Sequence, residues 1–204
     1  MLRVFIATLV LAGLVAGPPP APAFATELLY GISTDGALLL IDPGSGTGSQ
    51  VSATGVGTWE ALDNGPDGFL YGIGNANDLY RIHPFSGAAT LVGDVTGANR
   101  VEALAFHGGE LFAAACFDAN GARAERLIKI STVDASMTEI GLFGTAADDI
   151  DGLASWNNGL LGSNICTENK LVSINAATGM GTDVALLARI VISLETDAND
   201  VVYG

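Results

Sequence analysis

The sequence predicts an all-β chain of about four four-stranded antiparallel units, and three observations carry that reading. A short motif recurs: Leu29-Tyr30-Gly31-Ile32 returns as Leu70-Tyr71-Gly72-Ile73, with weaker copies at Leu111-Phe112-Ala113, Leu160-Leu161-Gly162 and Val202-Tyr203-Gly204. The intervals are 41, 41, 49 and 42 residues, a period that marks a repeat architecture. Between copies lie short β-rich runs bounded by Gly, Pro, Asn and Asp. Those runs are apolar on both alternations, as in Ala37-Leu38-Leu39-Leu40-Ile41, so each small sheet needs a neighbour on both faces.

Taken in order, the first stretch stands outside the repeat. Arg3 precedes an apolar run from Val4 to Ala16, a Pro-rich neck follows, and Ala23-Phe24-Ala25 supplies small residues for cleavage. This is the pattern of a secretory signal peptide, with cleavage expected after Ala25. The run is shorter than the roughly 20 residues of a spanning helix. Residues 1–25 therefore read as a leader and 26–204 as a repeat domain, secreted or periplasmic, with no membrane insertion after cleavage.

Strand one of the first unit falls inside that leader, so the mature repeat begins at strand two, Glu27–Ile32. Its third strand, Leu38–Asp42, is turned by Pro43-Gly44-Ser45-Gly46. The second unit is complete: Trp59–Asp63, a turn at Asn64–Gly68, Phe69–Gly74, Asp78–His83, a turn at Pro84–Gly87, and Ala88–Gly93. Leu127–Ser131 and Leu171–Asn175 repeat the third strand. The third unit carries an insertion, Asp118–Glu125, expected as a surface loop within a hairpin. Strand-two repeats start near 28, 69, 110 and 159, with a partial fifth from 200. Units of this length with four antiparallel strands are the blade pattern of β-propellers; a β-sandwich would leave the recurring Leu-Tyr-Gly unexplained. The tail offers a spare strand one, Ile190–Leu194, able to complete the first blade, but then runs into Asp200–Gly204, which would compete with Glu27–Ile32. The ring is thus either closed on four blades or incomplete, as a truncated propeller or an arc completed by self-association.

The blade motif is an acid-Ala-Leu-Ala strand, a Gly turn, Leu-Tyr-Gly, then Ile-Asp-Pro-x-Ser-Gly. It is carried here by Glu102-Ala103-Leu104-Ala105, Leu70-Tyr71-Gly72 and Ile41-Asp42-Pro43-Gly44-Ser45-Gly46. It resembles secreted bacterial propellers of the NHL/YVTN-like kind and related secreted repeat domains of unknown function. The resemblance implies a binding or scaffolding module. In a minority of such proteins, of the gluconolactonase and paraoxonase type, it implies a calcium-dependent hydrolase with the cation in the central tunnel.

Charge narrows the partners. The chain has 22 Asp+Glu against 8 Lys+Arg, a net of −14. Phosphate backbones and anionic membranes call for a basic face, so nucleic acid is not expected; an unknown protein or glycan ligand is. The two cysteines, Cys116 and Cys166, lie at similar places in consecutive repeats, and an oxidising compartment permits one disulfide between them. Two buried thiols are the alternative.

Chemistry has one positional candidate. Glu60, Glu102 and Asp151 hold the same place at the start of strand one, which lines the channel of a propeller, so three carboxylates would converge on one mouth. Oxygen ligands gathered this way suit Ca²⁺; the alternative is that each acid caps amides or meets water. The fourth equivalent, Ile192, interrupts the set. Asp148 or Asp149 could supplement it, although a solvated loop accounts for that acidic run. Asp63–Asp67 reads as a turn. Trp59 and Trp156 flank the acids and read as packing before ligand contact. No Gly-x-Ser-x-Gly, P-loop or dinucleotide fingerprint occurs. His83 and His107 sit at different repeat positions without an evident Ser or Cys companion. A non-enzymatic module is the leading expectation, with a calcium-dependent lactonase or esterase held by Glu60, Glu102 and Asp151 as the alternative.

Overall fold

The structure is a computed structural model, and it describes residues 4–10, 27–119, 122–144, 149–165, 168–197 and 201–204. Four antiparallel four-stranded sheets follow one another along the chain as the blades of a β-propeller. The first comprises β1 (Val4–Val10), β2 (Glu27–Ser33), β3 (Ala37–Ile41) and β4 (Gly48–Ala53). The second comprises β5 (Trp59–Asn64), β6 (Leu70–Gly74), β7 (Asp78–Ile82) and β8 (Ala89–Asp94). The third holds β9 (Arg100–His107), β10 (Glu110–Ala119), β11 (Ala122–Ile130) and β12 (Met137–Leu142). The fourth holds β13 (Ile150–Trp156), β14 (Gly159–Asn164), β15 (Lys170–Ile174) and β16 (Gly181–Leu186). A fifth, two-stranded sheet pairs β17 (Glu195–Thr196) with β18 (Val202–Tyr203). The inner strands ring the axis: β5 lies beside β1 and β9, β13 beside β9, and β17 between β13 and β1.

The core lies between sheets, as double-sided apolar strands require. Tyr30, Ile32 and Leu38 meet Trp59, Leu70 and Ile82; Tyr71, Ile73 and Leu79 meet Leu111, Ile128 and Ile130; Phe112 and Leu127 meet Leu153, Val172 and Ile174. The glycine of Leu-Tyr-Gly is a close-approach residue, since a Cβ on Gly72 would stand 2.7 Å from the Trp59 ring. Trp59 is fully buried, lies edge-on to Tyr80 at 5.4 Å, and donates from Nε1 to Thr54 Oγ1. Trp156 packs with Leu161 and Leu194. Both tryptophans are packing residues.

The turn after each third strand is held by one side chain. Asp42 Oδ1 accepts from Gly44 N, Asn175 Oδ1 from Ala177 N and Thr178 N, and Ser131 Oγ from Val133 N. His83 Nδ1 does the same for Phe85 N and Ser86 N. This histidine is a turn cap of the kind Asx residues usually provide.

Three arrangements differ from, or add to, the sequence reading. Val4–Val10, within the expected leader, takes the strand-one place of the first sheet and pairs with β2 in unbroken register, Val4↔Ser33 to Val10↔Glu27. The tail consequently forms its own sheet instead of completing the first, because the edge of β2 is already paired; β18 and β2 do not compete. Outside residues 120–121, which lie beyond the described residues, the insertion is strand: β10 and β11 lengthen and stay paired out to Ala119↔Ala122. Continued backbone pairing satisfies amides that a loop would leave to solvent. Cys116 is buried on β10, while Cys166 lies outside the described residues. Among the described residues no helix is long and apolar enough to cross a membrane.

Candidate functional site

The three predicted acids are positioned by one device. In the second, third and fourth sheets the pairing of strand one with strand two skips a residue: Trp59↔Gly74 is followed by Ala61↔Ile73, Val101↔Ala115 by Ala103↔Ala114, and Ile150↔Asn164 by Gly152↔Ser163. The skipped residues are Glu60, Glu102 and Asp151. Each is the extra residue of a β-bulge, a feature that re-aims a side chain off the regular pleat. The next positions are small (Ala61, Ala103, Gly152), and a leucine follows each (Leu62, Leu104, Leu153).

A guanidinium stands between two of these acids. Arg100, at the start of β9, reaches Glu60 Oε2 with Nη2 at 2.9 Å and Glu102 Oε1 with Nη1 at 3.0 Å. Burial alone would lower the Arg100 pKa, but the hydrogen bond to Glu60 and the charges of Glu102, Glu60 and Asp151 outweigh it and raise it. The Glu102 side chain is only 2% exposed, and a charge so buried needs a partner. Arg100 is one such partner. Glu60 and Glu102 therefore share a resident cation, and the charge of Asp151 acts on it as well.

Glu102 also belongs to a second group. Carboxylate oxygens of Glu102, Glu125 and Asp149 lie within 4.8 Å of one another. Three carboxylates can offer oxygens to a hard divalent ion, though Arg100 already engages Glu102. Asp149 is one of the two supplements the acidic run offers; the other, Asp148, lies outside the described residues. Glu125 escapes a reading of the repeat, since it stands on β11 in the insertion, away from strand one. It pairs across from Cys116, which pairs on its other side with Arg100. Only the acid's place at the foot of the insertion hints at it.

Between the inner strands the axis is nearly solid. The cavity lined by Ala61, Ala103, Gly152, Ser193 and their leucines measures about 10 Å³, at the threshold for one water molecule. That cavity admits no organic substrate.

At the other end of the inner strands lies a buried carboxyl pair. Asp63 accepts hydrogen bonds from Asn64 N at 2.7 Å and from Phe106 N, and shares one with Glu195. Burial pushes the Asp63 carboxyl up to about 6 against those three bonds. The two acids are repeat equivalents: Asp63 pairs with Tyr71 and Glu195 with Tyr203, each the tyrosine of a strand-two motif. Near them His107 Nδ1 stands 2.9 Å from Ser155 Oγ, a companion the sequence did not disclose. Such a contact is one requirement of nucleophilic catalysis, but none of the described cavities is lined by either residue.

No family model matches the chain, and no curated protein matches it. Solved structures do. A chain of a nidogen/laminin complex is 13% identical, with a TM-score of 0.60, covering 84% of this chain and 66% of its own length. A structural-genomics protein of unknown function from Bacteroides thetaiotaomicron is 12% identical, with a TM-score of 0.62 and coverage of 83% and 51%. This chain thus spans between half and two thirds of those chains, and what it shares with them is the β-propeller fold.

Proposed function

We propose that this chain is a secreted, non-enzymatic β-propeller module that binds a protein partner on its outer surfaces. The closed axis carries the reading: a lactonase-like site needs a tunnel that admits substrate beside a cation, and here about 10 Å³ remains with Arg100 already among the acids. The fold similarity to a chain of a nidogen/laminin complex supports the same class, as does the NHL/YVTN-like blade motif. The leader pattern supports an extracytoplasmic location. The test presents the chain, both as all 204 residues and as residues 26–204 without β1, to arrays of purified secreted proteins and glycans, with a parallel lactone and ester turnover panel containing calcium. Saturable protein binding without turnover is expected. Calcium-dependent hydrolysis abolished by Glu102→Gln would overturn the reading.

A further inference from the structure

The four turns after strand three are an internal control for what the fold requires. They close in the same way around Asp42, His83, Ser131 and Asn175. Two residues further on, at the tips, stand Gly44, Phe85, Val133 and Ala177. Just before the leucine of each strand-two motif stand Leu28, Phe69, Glu110 and Gly159. Three sheets thus form without a ring at any of these positions, and the second fills all three: Phe69, His83 and Phe85. The rings meet, with His83 edge-on to Phe69 at 5.7 Å and to Phe85 at 6.0 Å between centroids. The Arg81 guanidinium lies 3.3 Å over the Phe69 ring and spends both Nε and Nη2 on Asp67 Oδ2. This cluster is at the surface although its sheet has a neighbour on each side. Phe85 is 56% exposed, His83 is exposed, and the Arg81 and Asp67 side chains are 40% and 39% exposed. A single exposed apolar residue calls for no explanation, but rings gathered at the surface do. Turn formation does not explain them, since the other three turns close without them.

We propose that Phe69, His83 and Phe85, with the Arg81–Asp67 pair beside them, form a binding site for an uncharged saccharide. The Phe85 ring offers a negative face to the polarised C–H face of a sugar ring. His83 Nδ1 accepts from Phe85 N and Ser86 N. The neutral imidazole therefore carries its proton on Nε2, a donor for a sugar hydroxyl. The guanidinium and carboxylate of the ion pair serve further hydroxyls, which both accept and donate. Charge selects against the other ligand classes. An anion meets a chain of net −14, and a cation meets the guanidinium that already covers Phe69. A neutral polyhydroxyl ligand needs no counter-charge and finds an ion pair already balanced. A protein hot spot also uses aromatic and arginine anchors. Three rings and one ion pair, however, fall short of the about 800 Å² per partner that a stable protein interface covers. The site goes beyond the protein-binding reading and does not depend on it.

The test titrates the full chain by calorimetry with uncharged tetrasaccharides of glucose, mannose, galactose and N-acetylglucosamine, and with a sulfated saccharide in parallel. At least one uncharged probe should bind saturably, with an affinity that salt leaves unchanged. Two substitutions copy residues that the fold already uses at these positions. Phe85→Ala reproduces Ala177, and His83→Asn reproduces Asn175, whose Oδ1 caps the same turn. Both variants should therefore keep the melting profile of the natural chain. Each should weaken saccharide binding about tenfold or more, while Val133→Ala, at the tip of the third sheet, should leave it unchanged. No saturable binding of any uncharged probe, or equal affinity in Phe85→Ala, overturns the proposal. So does binding confined to the sulfated saccharide and abolished by salt, which would mark ionic attraction alone. A protein from the array that loses affinity in Phe85→Ala, with no saccharide bound, assigns the cluster to a protein partner and also overturns it. Saccharide binding with no protein captured supports this site and counts against the protein-binding reading.

Discussion

Replacing Asp63 with asparagine should change how stability depends on pH. The carboxyl is fully buried and its folded pKa rises from 3.8 to about 6. A raised folded pKa means the native state holds a proton that the unfolded chain has released. The stabilisation is complete below about pH 4, and is lost as pH climbs through about 6. A rise of about two pH units, at about 1.36 kcal/mol each, amounts to about 3 kcal/mol between those limits. The asparagine side chain keeps a carbonyl for one backbone amide and offers its NH₂ to the Glu195 carboxylate, but gives up one acceptor at a cost of about 1 kcal/mol. Asp63→Asn should therefore be slightly less stable than the natural chain near about pH 4 and about 2 kcal/mol more stable near about pH 8. Urea unfolding followed by the fluorescence of buried Trp59 measures both. Taking the difference between the two proteins cancels the exposed carboxylates common to them. A stability difference that does not move with pH would refute the shared-proton account of the Asp63–Glu195 pair.

Two further substitutions test the packing and the acid cluster. Arg100→Gln removes an ion-pair partner of Glu102, whose side chain is 2% exposed, and should cost about 2 kcal/mol, less than a fully buried pair because solvent screens the half-exposed arginine. Millimolar calcium should raise the melting temperature of that variant more than that of the natural protein; an equal response in both would show that Arg100 does not hold the cation position. Gly179→Ala forces an L-residue to φ +78 with its Cβ 2.6 Å from Gly141 O of the neighbouring sheet. It should cost at least about 2 kcal/mol, a drop of about 4–8 °C in calorimetry for a domain of this size; an unchanged melting temperature would mean the two sheets separate easily there.

Part of the candidate site was legible in the chain. The common place of Glu60, Glu102 and Asp151 follows from the repeat alone, because strand-one residues at one repeat position face the axis together. Their neutralisation was not legible. Arg100 lies before the repeat position that carries the acids, and nothing in its spacing announces that it reaches Glu60, forty positions earlier. Glu125 enters the cluster through the lengthened third hairpin, which the repeat does not contain. His107 and Ser155 meet across adjacent sheets from different repeat positions, so a period-matched reading keeps them apart.

What the sequence by itself determined is whatever recurs: four sheets, most of their strand limits, and a turn after each third strand, at Asp42, His83, Ser131 and Asn175. These are local or periodic, and each copy supports the reading of the others. Tertiary structure alone decided the breaks in the period. It set Val4–Val10 on β2, made the tail a separate two-stranded sheet, seated Arg100 among the acids and joined Asp63 to Glu195. Those outcomes depend on which strand edge is already paired and on how far two buried charges stand apart, quantities fixed by ring closure and not by any residue's neighbours in the chain.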